Sequence, residues 1–193
     1  MKKSCFLILL FIGITLSVHA QSIYVTDLTC EYLENPLGID ANVPTLGWKM
    51  QSQERGELQS AYEILVAANE NDLQNEKKLL WRSGKVNSRK NVNIRYAGKK
   101  LKPFTRYYWK VRVYNQKNEV SAWSLPAFWE TAMLQSTDWK AQWIGDGSVP
   151  PAKEEDFYKD DPAPLFRKTF TPQKLVKTAR LYICLLYTSP SPR

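Results

Sequence analysis

The stretch LKPFTRYYWKVRVYN, residues 101–115, contains the clearest structural signal in this chain. From its middle onward, apolar and polar residues alternate with a period of two, as in a β-strand that buries one face. The face predicted to be buried carries Tyr107, Trp109, Val111 and Val113. The face predicted to point outward carries Arg106, Tyr108, Lys110, Arg112 and Tyr114. We therefore predict a long strand with one side in a hydrophobic core.

Shorter runs of the same kind fill the sequence on both sides of this stretch. The seven predicted strands span residues 27–33, 45–51, 61–67, 80–85, 91–96, 106–115 and 127–130. A weak helical pattern at 70–80 indicates no more than a turn or two of helix. Many short strands separated by turn residues favour an all-β fold, an antiparallel β-sandwich.

The spacing Leu-x-Pro-x-Thr-x-Tyr-x-Trp-x-Val-x-Val within 101–113 resembles strand F of fibronectin type III domains. The resemblance implies that Tyr107 is a tyrosine-corner residue, with its ring inside and its hydroxyl bonded back to the preceding loop. Trp48, in LGWKM, matches the buried tryptophan of such domains. The resemblance implies an immunoglobulin/fibronectin type III-like sandwich over residues 21–133.

The first residues, MKKSCFLILLFIGITLSVHAQS, have the layout of a secretory signal peptide. Two lysines precede an apolar run that is too short to span a bilayer, and small residues precede Gln21. We predict a signal peptide at 1–20 with cleavage after Ala20; an uncleaved membrane anchor is the alternative. The mature protein is then expected to be secreted or periplasmic, with no membrane contact after cleavage.

Few residue types that carry enzyme chemistry remain after that cleavage. The single histidine, His19, and Cys5 leave with the signal peptide, and Cys184 lies in an unusual tail, so Cys30 is the one cysteine retained. A Ser-His-Asp triad, a Cys-His pair and a His/Cys zinc site are excluded, and carboxylates remain as the plausible catalysts. Three of the +8 formal charges belong to Lys2, Lys3 and Arg193, which leaves a mild excess of +5.

A second unit is predicted to begin after the first sandwich, at 134–183. WKAQWIG follows a linker-like stretch, and LFRKTF and ARLYI are two further strand candidates. Two strands cannot bury a core, so we expect only the first strands of an incomplete second β-sandwich. The last ten residues, CLLYTSPSPR, resemble the in-frame translation of a transposase sequencing-library adapter. Residues 184–193 are therefore predicted to be a non-native tail.

The order of motifs resembles the N-terminal region of bacterial α-L-rhamnosidases of glycoside hydrolase family 78. The motifs are NPLGID and LGWKM, SAYEILVAA, LWRSGKV and LKPFTRYYWKVRVYN, then WKAQWIG, PAPLFRKTF and ARLYI. The resemblance covers 25–183. It implies that the second unit opens a jelly-roll-like sandwich, which binds rhamnose in some members, and that an (α/α)6 barrel with the active site follows.

The resemblance also implies an inverting hydrolase that removes terminal α-L-rhamnose from plant glycosides or pectic polysaccharides. Inversion needs one carboxylic acid and one carboxylate, separated so that a water fits between them. Both would lie beyond Ile183, so we assign no catalytic, cofactor-binding or metal residue in this chain, and no cofactor. The expected partner is a rhamnose-containing glycoside or polysaccharide, bound through domains that this chain lacks. No nucleic-acid partner is expected.

Three groups of side chains resemble sites. An acidic cluster fits no EF-hand loop and has lysines beside it, so a solvated loop is favoured; its members are Glu154, Glu155, Asp156, Asp160 and Asp161. Seven tryptophans suggest sugar stacking, but core or inter-domain packing is favoured; they are Trp48, Trp81, Trp109, Trp123, Trp129, Trp139 and Trp143. The outward face of 106–114 is interpreted as a solvent-exposed or covered surface, and contact with an acidic pectin chain is the weaker hypothesis.

Three classes of function stay open on the sequence alone. The first is the N-terminal, non-catalytic part of a secreted α-L-rhamnosidase. The second is a carbohydrate-binding module, and the third is an adhesive ectodomain, because the fold alone does not decide function. A second strand F motif would favour the adhesive reading, and none recurs in the sequence.

Overall fold

The computed structural model describes residues 23–145, 147, 152–155, 165–176 and 178–183. The predicted signal peptide and the predicted tail lie outside these residues. The chain divides into two units, Met1–Ala141 and Gln142–Arg193. Within the described residues, no helix is long and apolar enough to cross a membrane.

The first unit is a sandwich of two antiparallel sheets, which confirms the predicted fold class. One sheet has three strands in the order β1, β2, β6, and the other has five, with β4, β3, β7 and β8 in order and β5 also paired to β3. The strands are β1 Ile23–Cys30, β2 Thr45–Ser52, β3 Gln59–Ala67, β4 Trp81–Arg82, β5 Val86–Asn87, β6 Ile94–Arg95, β7 Arg106–Asn115 and β8 Ala127–Glu130. A short helix, α1 Glu70–Gln74, follows β3, and a 3-10 turn occupies Ser136–Asp138.

The core lies between the inner faces of the two sheets. Trp48, Trp109 and Trp129 are 2% exposed or less and account for the largest buried side chains. Trp48 donates a hydrogen bond from Nε1 to Gln59 Oε1 over 2.9 Å, so its polar atom is satisfied inside the core. The burial predicted for Trp48 is confirmed.

The alternation predicted for β7 is also confirmed, with one exception. Tyr107, Trp109, Val111 and Val113 are buried, as expected. Lys110, predicted to point outward into solvent, is only 8% exposed. Its aliphatic stem is covered because other residues pack on the outer face of this sheet.

Five of the seven predicted strands have different bounds in the structure, by one or two residues for β2 and β3 and by more for the others. The strand predicted at 27–33 is β1, which begins at Ile23 and ends at Cys30. It ends there because Glu31 and Tyr32 have φ of 50° and 63°, and this turn lets Cys30 and Leu33 exchange backbone hydrogen bonds of 2.9 and 3.0 Å. Neither residue is a glycine or asparagine, so no turn signal marks the position.

The strand predicted at 80–85 is reduced to β4 at Trp81–Arg82, and a separate short strand, β5, follows at Val86–Asn87. Gly84 has φ of 64° and separates them, since that backbone conformation does not continue a strand. The first unit therefore contains eight described strands rather than seven. The strand predicted at 91–96 shortens to β6, and the weak helical pattern at 70–80 becomes α1, whose N-cap Asn69 accepts a 2.8 Å hydrogen bond from Asp72 N.

The two strand candidates of the second unit are not strands in the structure. No strand is assigned within the described parts of 165–183, where the predicted segments LFRKTF and ARLYI lie. A strand requires a neighbour for its backbone hydrogen bonds, and the described residues of this unit supply none. None of these residues is buried, and Leu165 and Leu175 are 100% and 99% exposed. The second sandwich stays a prediction.

Candidate functional site

The outward face of β7 is the candidate site that the structure organises most clearly. Each of its cationic side chains lies over an aromatic ring. The guanidinium carbon of Arg106 is 4.2 Å from the Phe128 ring centre. Lys110 Nζ and the Arg112 guanidinium carbon lie 5.0 and 4.6 Å from the ring centre of Trp123. The predicted stripe is thus a ladder of cation–π contacts.

Two serines hold Trp123 in the middle of this ladder. Ser121 and Ser124 each accept a hydrogen bond on Oγ from a β7 backbone N–H, that of Val113 over 3.0 Å and that of Val111 over 3.1 Å. Their own backbone N–H groups donate to the carbonyls of the same two residues. The segment 121–124 is therefore fixed against β7, and Trp123 lies over Lys110 and Arg112. This role of Trp123 was not predicted from the sequence, although the spacing Ser-x-Trp-Ser at 121–124 is a signal for it.

The cations of the ladder are also paired with carboxylates. Arg106 bonds Glu130 over 3.1 Å, and Lys110 Nζ lies 3.8 Å from Glu76. Arg112 Nε donates to Glu63 Oε2, which the register of β3 and β7 places directly opposite. Cross-strand pairs of this kind stabilise a sheet. Because the positive charges are already compensated, this face is a poor site for an acidic chain, which weakens the pectin-contact hypothesis for Arg106 and Arg112.

The protonation behaviour of this cluster fits a structural role. A hydrogen bond from Arg82 is the main reason that the pKa of Glu76 is lowered, so its carboxylate stays charged. Burial lowers the pKa of Lys110, and this effect outweighs the attraction of Glu76. Because its pKa is lowered, Glu76 is ionised near neutral pH and has no proton to donate there.

The other predicted candidates separate into core residues and exposed residues. Trp81 and Trp123 are partly buried, whereas Trp139 and Trp143 are 38% and 71% exposed. Glu154 and Glu155 are exposed, and the other members of the acidic cluster lie outside the described residues. In the part of the chain that the structure describes, no group of three or more His, Cys, Asp or Glu side chains is placed to hold a metal ion.

Cys30 is unsuited to nucleophilic chemistry. Its side chain is buried at the end of β1 and has 1% exposure. Burial, with a smaller contribution from the charge of Glu31, raises the pKa of the thiol well above its ordinary value. A thiol that stays protonated and inaccessible is inert, so Cys30 is a packing residue.

Comparison with known proteins places this sandwich in a family. The profile described as "Rha78A-like, N-terminal immunoglobulin domain" matches residues 25–135. A curated α-L-rhamnosidase of Formosa agariphila is 35% identical over 164 residues, which covers 78% of this chain and 17% of the relative. The match therefore extends beyond the first sandwich.

Two solved structures have the same fold. The α-L-rhamnosidase of Streptomyces avermitilis, in complex with L-rhamnose, has 42% identity and a TM-score of 0.61 over 64% of this chain and 12% of its own. The α-L-rhamnosidase of Dictyoglumus thermophilum has 37% identity and a TM-score of 0.62 over 65% of this chain and 14% of its own. This chain thus spans 12% to 17% of the length of these relatives. Because the family match covers more than half of the chain, the chain belongs to the Rha78A-like N-terminal immunoglobulin domain family.

Proposed function

We propose that this chain is the N-terminal, non-catalytic part of a secreted α-L-rhamnosidase. The complete enzyme would hydrolyse terminal α-L-rhamnose from plant glycosides or pectic polysaccharides. The observation that carries the proposal is the similarity to proteins named α-L-rhamnosidases, of which the chain spans 12% to 17%. Secretion rests on the signal-peptide pattern of residues 1–20.

The carboxylates on the outer face of the five-stranded sheet support a non-catalytic role. An inverting glycosidase needs two carboxyl groups about 6.5–9.5 Å apart, with one of them protonated and both free to reach substrate and water. On this face, Glu63 bonds Arg112 and Glu130 bonds Arg106. Glu76 bonds Arg82 over 2.6 Å. Carboxylates held in ion pairs with cations of the same sheet are not free to reach a substrate, so they do not fit the role of a general acid.

The test is rhamnose release from an aryl α-L-rhamnoside. We expect none from the purified 193-residue chain. We expect release from the longer protein encoded by the natural gene, and loss of that release when either carboxylate of its acid and base pair is changed to the amide. Turnover by the short chain would contradict the non-catalytic assignment. A folded longer protein with no activity on any α-L-rhamnoside would contradict the enzyme assignment.

A further inference from the structure

Basic residues without a carboxylate partner are concentrated in one part of the first unit. No Asp or Glu occurs between Glu76 and Glu119, although this stretch contains 14 Lys and Arg residues. Five of them pair with carboxylates: Arg82, Arg106, Lys110, Arg112 and Lys117. The other nine form no ion pair within 4.0 Å with a described carboxylate. They are Lys77, Lys78, Lys85, Arg89, Lys90, Arg95, Lys99, Lys100 and Lys102.

Two of these unpaired lysines line a groove. The polar lining of a 370 Å³ depression consists of Lys100, Lys102, Asn42, Gln135 and Asp138. Leu101, Pro103 and Leu134 supply its apolar lining. Both lysine side chains, Asn42 and Gln135 are exposed. The groove thus combines two positive charges, the negative charge of Asp138, two amides and an apolar surface.

The backbone segment that carries the two lysines, residues 99–102, is held by hydrogen bonds with buried side chains. Tyr96 donates from its hydroxyl to Lys99 O over 2.8 Å. The Tyr107 hydroxyl accepts from Lys102 N over 2.7 Å, and Thr131 Oγ1 donates to Lys102 O over 2.7 Å. Both ends of 99–102 are therefore fixed by buried side chains. The tyrosine corner predicted from the sequence is present, and it also positions a groove residue.

Asn42 and the lining residues of 134–138 are fixed by hydrogen bonds among themselves. Asp138 Oδ2 accepts from the backbone N–H groups of Leu134 and Gln135, each over 3.0 Å. Asn42 Nδ2 donates to Leu134 O over 3.2 Å. Because the backbone of these lining segments is set before any ligand arrives, little backbone conformational entropy is lost on binding.

We infer that this groove binds a carboxylated sugar, a uronic acid within an oligosaccharide. The two ammonium groups would form charge-assisted hydrogen bonds to the carboxylate. The Gln135 amide and the second Asp138 oxygen would form hydrogen bonds with the hydroxyl groups of the sugar, and the apolar lining would pack against the C–H face of the sugar ring. The choice of a sugar over other anions rests on the proposed function, whereas the preference for an anion rests on Lys100 and Lys102, which form no ion pair with a described carboxylate and outnumber the one carboxylate of the lining, Asp138.

The test is calorimetric titration of the full chain with oligogalacturonate, and with a neutral galacto-oligosaccharide of the same length. We expect binding of the acidic probe only. Lys100→Gln with Lys102→Gln is expected to weaken that binding about 10-fold or more, since two charge-assisted hydrogen bonds are lost. Lys100→Arg with Lys102→Arg should retain it. These side chains are exposed, so all variants should unfold at the same temperature.

The matched control is Lys77→Gln with Lys78→Gln. This variant removes the same charge from two other unpaired lysines that do not line the groove, and it should change binding less than about 2-fold. Equal losses in both glutamine variants would show a diffuse charge effect and overturn the proposal. Absent binding, equal binding of the neutral probe, or equally tight binding of single-stranded DNA of matched charge would overturn it too.

This result is independent of the hydrolysis assay. If the groove does not bind a carboxylated sugar, the titrations of this chain show one of those contradicting outcomes, whatever the longer protein hydrolyses. Failure of the proposed function would appear as a longer protein without rhamnosidase activity, while the lysine-dependent binding persists. The two ideas therefore fail in different experiments.

Discussion

Removing one hydroxyl from the tyrosine corner should destabilise the sandwich measurably. Tyr107→Phe keeps the ring, which is 3% exposed and stacks on Trp129 with ring centres 5.5 Å apart. It removes the acceptor of the 2.7 Å hydrogen bond from Lys102 N. A partly buried backbone N–H left without an acceptor costs about 1–3 kcal/mol. We expect the free energy of unfolding to fall by about 2 kcal/mol.

Urea unfolding followed by tryptophan fluorescence measures this change, because Trp48, Trp109 and Trp129 are all buried in the same core. The midpoint should fall while the slope with urea stays constant, as expected for a loss of stability without a change in the surface exposed. Tyr108→Phe is the control. Tyr108 is the next residue on the opposite face of β7, and its hydroxyl forms no hydrogen bond with the described residues, so its removal should cost less than about 0.5 kcal/mol. Equal effects of the two substitutions would refute the reasoning.

Three further predictions concern the same unit. Phe104 has φ of 54°, a backbone angle that strains alanine but not glycine. Both Phe104→Gly and Phe104→Ala lose the ring, so the glycine variant should be more stable by about 1 kcal/mol in urea unfolding. Burial, with a smaller contribution from Tyr107, raises the pKa of Tyr96 from 10 to about 12. The free energy of unfolding should therefore fall by up to about 3 kcal/mol as the pH rises from 10 to 12. Residues 21–133, produced alone, should unfold cooperatively, since the described core lies within them.

Each of these predictions has an outcome that contradicts it. Equal stabilities of the glycine and alanine variants would mean that the backbone at Phe104 is unstrained. For Tyr96 the folded pKa lies above the unfolded one, so its stabilisation is complete below pH 10 and is lost as the pH rises; Tyr96→Phe should remove that part of the alkaline loss. An unchanged alkaline profile in this variant would contradict the assignment. A non-cooperative transition of 21–133 would contradict the predicted domain boundary.

The strands that periodicity predicted well are those with one buried face. β7 and β8 have the predicted bounds, and β2 differs by a single residue. In these strands, burial of alternate side chains determines both the extended conformation and which face of the strand points to the core. The tyrosine corner at Tyr107 and the buried Trp48 were predicted from the resemblance to fibronectin type III domains, and both are present in the structure.

The features that the sequence did not predict depend on contacts between distant residues. The turn at Glu31 and Tyr32 uses left-handed residues without a glycine signal, because the pairing of Cys30 with Leu33 stabilises it. Lys110 is buried because Trp123, 13 residues away, covers it. The groove joins residue 42 to residues 100–102 and 134–138, which become neighbours only after the sheets pack. No local pattern contains that information.

The most direct test of the account is the genomic DNA sequence downstream of the Ile183 codon. We predict that the natural reading frame continues in place of CLLYTSPSPR. It should encode the rest of a second sandwich and then a helical catalytic domain with paired carboxylates. A stop codon directly after Ile183, or a natural genomic sequence that encodes CLLYTSPSPR and then ends, would contradict the assignment of this chain as the N-terminal part of an α-L-rhamnosidase.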